Sequence, residues 1–182
     1  GKLRESNVPA ELAYITLIES NFFKKAGYPI EKPASTTALG PWQMIDGTAK
    51  NNGLRIFSAK AKSPCDERTD LAKSSAAAGR YLRDILDMFP NDPKLAILGY
   101  HQGEHGVLKN VARLKSNPSR LATIRELGLS YWAIRKFNMA GKYGLQYVVD
   151  FVSIHHAALE MEEIPLDPSV QPWKPTTVKC QR

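Results

Sequence analysis

Leu71, Ser75, Ala78, Leu82, Ile85 and Phe89 follow one another at spacings that alternate between four and three residues, and no other feature narrows the fold of this chain so far. Such spacing keeps all of them on one side of a 3.6-residue helix. A helix over 66–89 with a continuous inward face is therefore expected, and a face of that length has to be buried by other helices. Asn7, followed by Pro9, marks an earlier helix start, because Pro is tolerated in a first turn. That helix is expected to run to about Phe23. Asp92-Pro93 opens another, which carries Tyr100 and His101 near its end, with Gly103 and Gly106 as breakers. Val107, Leu108, Val111 and Leu114 mark the next. After Pro118 come shorter pieces, one of them capped by Ser130, and then a helix over 142–162 with the stripe Tyr143, Tyr147, Phe151, Ile154, Ala158 and Met161.

The whole reads as mainly α. Residues 1–162 form one domain, and 163–182 a tail that packs on it or extends from it. Pro165, Pro168, Pro172 and Pro175 rule out a continuing helix there. No internal repeat, sustained heptad array or Gly-rich phosphate loop is present. Between the first helix and the second, residues 24–39 hold Gly27, Pro29, Pro33 and Ser35, a composition that breaks helices; a loop of this length in a compact domain is often functional.

With 182 residues, 43% hydrophobic and 24% charged, the composition is globular, and the chain is long enough to fold without stapling. Lys and Arg number 25 against 18 Asp and Glu, a formal charge of +7 that favours a polyanionic partner. Nucleic acid is not that partner: the basic residues are scattered, and no helix shows a basic stripe interleaved with aromatics. No apolar run approaches the ~18 residues that span a bilayer. The chain begins at Gly1 rather than Met, as expected of a processed or excised piece, so a native signal or lipid anchor would be out of view. Cys65 and Cys180 are too far apart for a metal knuckle, and neither has a CxxC partner. A single bridge between them suits an oxidising compartment.

Glu19 is the residue on which chemistry converges. Leu12, Ile15 and Thr16 precede it at i−7, i−4 and i−3, so the carboxyl shares a face with core-directed side chains. Apolar surroundings disfavour the charged form and keep a carboxylic acid protonated, which suits a general acid. A lone, shielded acid of this kind is what glycosidic bond cleavage needs.

Other chemistries are weaker. His101-Gln102-Gly103-Glu104-His105 fits the H-x-x-E-H pattern of inverted zinc peptidases. Against it, Gly103 interrupts the ligand helix, Gly106 follows it directly, and no third ligand stands out. His155 and His156, being adjacent on a helix, diverge by about 100° and do not converge on one ion. Neither Cys65, Cys180 nor Ser20 has a recognisable base for nucleophilic catalysis. No metal and no cofactor is expected.

The motifs Glu19-Ser20-Asn21-Phe22, Ala38-Leu39-Gly40-Pro41-Trp42-Gln43-Met44, Gly99-Tyr100-His101-Gln102-Gly103 and Gln146-Tyr147-Val148 occur in that order. Together they resemble the soluble lytic transglycosylase catalytic domain, family 23 of the glycoside hydrolases, and within it the membrane-bound type D branch. The resemblance runs from about Pro9 to about Glu160. It implies a lysozyme-like helical domain with a catalytic groove, and cleavage of the β-1,4 bond between N-acetylmuramic acid and N-acetylglucosamine in peptidoglycan. It further implies that Glu19 is acid and then base, with Ser20 beside it, that Gln43 and Met44 line the glycan groove, and that Tyr100 and Tyr147 surround the reacting sugar. His101 stands where the family usually has Asn, and 24–37 is longer than the usual link.

With one acid the implied mechanism is substrate-assisted. The muramyl N-acetyl group stabilises the anomeric centre, and Glu19 then takes the C6 hydroxyl proton to close a 1,6-anhydro ring. Asp46, the acid nearest the second motif, is read as a helix cap. A hydrolytic, goose-type-like lysozyme and a non-catalytic wall-binding module are the other readings. Peptidoglycan strands are the expected partner of a monomer in the periplasm or cell envelope, where Cys65 and Cys180 would form a disulfide.

Overall fold

In a computed structural model of the protein, residues 1–20, 38–57 and 65–161 are described. The expected loop over 24–39 falls outside them up to residue 37, as do Cys180 and the Pro-rich tail 163–182. Regular structure among the described residues is helical, apart from an isolated antiparallel bridge between Leu39 and Met44, so the mainly α expectation holds.

The helices are α1 (Lys2–Glu5), α2 (Ile15–Ser20), α3 (Asp46–Asn51), α4 (Leu71–Met88), α5 (Pro93–Gln102), α6 (Glu104–Lys115), α7 (Leu121–Leu127), α8 (Tyr131–Lys136) and α9 (Gly141–Met161). Two 3₁₀ turns, Ala10–Tyr14 and Pro118–Arg120, lead into α2 and α7. The chain divides into two compact units. One comprises Gly1–Tyr81 with the described residues from Ile154 onward, the other Leu82–Ser153.

In the first unit a helical turn starts near Pro9 as expected, but Pro9 caps it from outside rather than standing in it, and the turn is 3₁₀ and becomes α-helical only at Ile15. Lys2–Glu5 is already helical, and the Asn7–Pro9 reading does not anticipate it. The helix expected from residue 66 starts at Leu71. Asp70 supplies its cap, accepting from the Lys73 N–H at 2.9 Å. The inward face is nevertheless the expected one: Ala78 in this unit, and Leu82 and Ile85 in the other, are fully buried.

In the second unit, the Asp92 side chain accepts from the Lys94 N–H at 3.0 Å, with Pro93 at the first helical position of α5. Its other oxygen accepts from the Tyr131 N–H at 2.7 Å, at the start of α8. Ser130 caps α8 as expected, accepting from the Ala133 N–H. α5 ends where Gly103 turns to φ 85°, a conformation open to glycine. Gly106, expected to break the chain again, lies inside the first turns of α6. On α9, Tyr147, Val148 and Phe151 are buried, whereas Tyr143 is 83% exposed rather than inward. The inner position in that first turn belongs to Gly144, where a Cβ would meet the Gln102 amide nitrogen at 2.1 Å.

Candidate active site

Glu19 sits in the last described turn of α2, and its side chain is half-buried. The face beneath it is the expected one: Leu12, Ile15 and Thr16 are all at most 5% exposed. Leu12 reaches that face from the 3₁₀ turn, so the helical i−7 relation to Glu19 does not apply. Thr16 Oγ1 donates to the Ala13 carbonyl at 2.7 Å, and Ser20 Oγ to the Thr16 carbonyl at 2.8 Å. Ser20 is fully buried, so it supports the turn that carries Glu19 from within.

The second motif folds as a closed loop. Leu39 N–H donates to the Met44 carbonyl at 3.2 Å, and the Gln43 N–H to the Gly40 carbonyl at 3.1 Å. Trp42 is buried and fixes the loop to α4, its indole N–H donating to Ser75 Oγ at 3.0 Å. Gln43 adopts φ 46°, a left-handed conformation that disfavours a residue with a side chain. Its Nε2 donates back to the Gly40 carbonyl at 2.7 Å, which fixes the orientation of the amide. Gln43 Oε1 is then buried without a hydrogen-bond partner. Such groups are rare, and they concentrate where a structure stores strain or meets a ligand. Met44 is in the core, 3% exposed.

Asp46 is not the cap of α3. Ile45 occupies that position, and Asp46 is the first helical residue, its carboxylate ion-paired with Arg68 at 2.6 Å. Arg68 is 1% exposed and also pairs with buried Asp66. Burial opposes the guanidinium charge, but the hydrogen bond and charge of Asp66, helped by those of Asp46, outweigh it and raise the Arg68 pKa further. Next to it, burial pushes the Glu67 carboxyl up, yet hydrogen bonds from the Arg55 and Lys73 side chains and the Arg55 N–H prevail and hold it at about 2. Cys65, which opens this segment, is disulfide-bonded. Sequence reasoning missed the whole cluster. Its signal was Arg68 flanked by Asp66, Glu67 and Asp70, a density of charge foreign to the inward face that a helix from residue 66 would need.

The third and fourth motifs lie on the second unit. Tyr100 is half-buried near the end of α5. The exposed His101 ring stacks on Tyr147 of α9, with centroids 4.2 Å apart and planes inclined by 18°. Gln102 secures this approach by donating Nε2 to the Ala140 carbonyl at 3.1 Å. His105, across the Gly103 break on α6, turns instead to Glu104 at 3.0 Å. The two histidines of the H-x-x-E-H pattern thus stand on different helices. Of the adjacent pair, His155 lies 6.1 Å from the Tyr14 ring, and His156 faces Glu160 at 3.3 Å.

A family model described as the transglycosylase SLT domain matches residues 2–122, a range holding Glu19, Gln43, Met44, Tyr100 and His101 but not Tyr147. The membrane-bound lytic murein transglycosylase D of Escherichia coli (strain K12) is 31% identical over 120 residues, which amount to 66% of this chain and 24% of that protein. The protein of the same name from E. coli O6:H1 has the same values. A protein of Alteromonas sp. (strain M-1) named for tributyltin chloride resistance is 30% identical over 120 residues, 66% of this chain and 53% of its own. The matched part thus spans 24% of the length of the E. coli relatives.

Proposed function

The chain belongs to the transglycosylase SLT domain family, and on that premise we propose that it cleaves the β-1,4 bond between N-acetylmuramic acid and N-acetylglucosamine in peptidoglycan, leaving 1,6-anhydromuramic acid ends. The observation that carries this reading is Glu19, a half-buried carboxyl on a turn whose inner face is apolar and whose hydroxyls are spent on backbone carbonyls.

Glu19 protonates the leaving oxygen while the muramyl acetamide stabilises the positive charge that develops at the anomeric carbon. The resulting carboxylate then takes the proton of the C6 hydroxyl, and that oxygen closes on the anomeric carbon. Acid and base are one residue, and no water enters the products.

Gln43 is assigned to the glycan. Reaching a sugar requires its amide to turn out of the bond to Gly40, and an oxygen left unmatched in the protein alone lowers the cost of that turn. Ser20 and Met44, both buried, act from behind, as supports of the two motifs. Tyr100, His101 and Tyr147 are assigned to substrate on the second unit. The site of action is the cell envelope, with peptidoglycan strands as the partner; among the described residues no helix is long and apolar enough to cross a membrane.

A hydrolytic reading needs a second carboxylate, about 5–5.5 Å from the acid for retention or about 6.5–9.5 Å for inversion. Asp46, the acid nearest the second motif, is engaged by Arg68, which favours the anhydro route. Digestion of purified sacculi followed by mass spectrometry, with and without borohydride, tests the choice. Ends one water lighter than hydrolytic ones and inert to borohydride are expected. Reducible muramic acid ends overturn the mechanism in favour of a lysozyme, and binding without new ends leaves a wall-binding module.

A further inference from the structure

Arg68 has no part in this chemistry, yet it is 1% exposed, and a charge so deeply buried persists only where partners satisfy it. Its planar fork is bidentate on Asp66, Nε to Oδ1 at 2.9 Å and Nη2 to Oδ2 at 2.8 Å. The remaining nitrogen reaches the second motif. Nη1 donates to the Met44 carbonyl at 3.2 Å and to Asp46 Oδ1 at 2.6 Å. That Met44 carbonyl is the same one that accepts from Leu39 to close the loop.

The loop also rests on the backbone of Arg68. Gly40 has φ 83°, and a Cβ there would lie 1.8 Å from the Arg68 carbonyl oxygen, so position 40 is fixed by contact as well as by conformation. The two residues that bracket the turn, Gly40 and Met44, are thus both held by Arg68. Between them stands Gln43, at φ 46° and with an unmatched oxygen. A turn strained in this way relaxes unless its surroundings over-determine it.

We propose that Arg68 is a positioning residue for Gln43, holding the Gly40–Met44 turn in the strained form from which the Gln43 amide meets the glycan. The proposal rests on the assignment of Gln43 to the glycan made above. Lysine cannot replace the fork, because one ammonium does not form two parallel bonds to Asp66 and reach Met44 as well.

The test is a double-mutant cycle in kcat/KM on peptidoglycan. Arg68→Lys is expected to lower kcat/KM about tenfold when Gln43 is present and less than about twofold in the Gln43→Ala background. Equal falls in both backgrounds overturn the proposal, since a merely structural Arg68 acts whether or not Gln43 is there. Wild-type turnover reports separately on the functional reading. If the wild type makes no new glycan ends, that reading fails, and the positioning role is decided by the Gln43 side-chain amide resonances, assigned by their loss in Gln43→Ala. In the wild type these protons should exchange slowly, and Arg68→Lys should release them to the shift and exchange of a free glutamine. Unchanged resonances overturn the proposal. Should Arg68→Lys fail to fold by circular dichroism, the pair Asp66→Asn with Arg68→Met removes both charges together, a change that cores often tolerate. It leaves a side-chain carbonyl at position 66 for the N–H of residue 68, a bond of 3.1 Å in the native chain. The same two measurements, with the same expected and overturning results, then apply to that pair.

Discussion

The imidazole of His101 lies almost parallel to the phenol ring of Tyr147, and the two centroids are 4.2 Å apart. One face of Tyr147 is therefore covered, and the residue as a whole is 5% exposed. A ring so enclosed is no platform for stacking a sugar, so any contact of Tyr147 with substrate runs through its hydroxyl. His101→Asn should keep turnover while lowering the unfolding free energy by about 0.5–1.5 kcal/mol, the worth of a stacked ring pair. Urea denaturation and turnover on the same preparation check both halves. A loss of turnover with stability unchanged would show that the glycan needs the imidazole itself and not merely a polar side chain at position 101. Chelator is expected to leave turnover as it is, because the Gly103 break sets His101 and His105 on separate helices.

Glu19→Gln keeps shape and removes the transferable proton. Turnover should fall by at least about 10²-fold, the lower end of what a positioned acid–base contributes, while sedimentation with sacculi and the melting curve stay near wild type. Substantial activity in the purified variant would remove Glu19 from its role.

Glu67 links acidity to stability. Its folded pKa of about 2 lies below that of an unfolded glutamate, so the carboxylate stabilises the native state above roughly pH 4.5. That contribution is lost as pH falls through about 2. Glu67→Gln should therefore cost about 1–3 kcal/mol at pH 7, where the hydrogen bonds to Arg55 and Lys73 are charge-assisted. The gap between variant and wild type should narrow below pH 4 and close near pH 2. Denaturant midpoints across that range measure it, and a gap constant with pH would contradict the ionic origin.

Cys65 is disulfide-bonded, and Cys180 is the other cysteine of the chain. A bridge between them closes a long loop worth roughly 4–5 kcal/mol in the chain-entropy account. Reduction should lower the melting temperature, and Cys180→Ser should reproduce that shift and be insensitive to reductant. Two free thiols by intact mass after non-reducing purification would contradict the pairing.

What was legible in the sequence is what repeats locally. The alternating spacing from Leu71 to Phe89 marked the inner face of α4, and Asp92-Pro93 marked the start of α5, because helix period and cap chemistry are written within a few residues of each other. The buried face under Glu19 was legible in Ile15 and Thr16 for the same reason, but not the 3₁₀ turn from which Leu12 reaches it. The ion pair that turns Asp46 from a cap into a partner of Arg68 was not, since it joins positions with no shared period. Tyr143 was misread because its spacing from Tyr147 is helical, whereas the close approach of Gln102 leaves the inner position to a residue without a side chain, Gly144. Gln43 stood out in the sequence through its motif, but neither its strained φ nor its unmatched oxygen leaves a trace in composition.

One carboxylate, that of Asp92, receives the Lys94 N–H at the head of α5 and the Tyr131 N–H at the head of α8. Helix starts ordinarily fray independently, each with its own orphan donors. Here the two starts draw on the two oxygens of one carboxylate, Oδ1 for Lys94 and Oδ2 for Tyr131, so displacement of that single side chain withdraws the acceptor from both, although Asp92 and Tyr131 lie 39 positions apart. Loss of that one carboxylate in Asp92→Ala should thus speed amide exchange at Lys94 and at Tyr131 together, at two helix heads far apart in the chain.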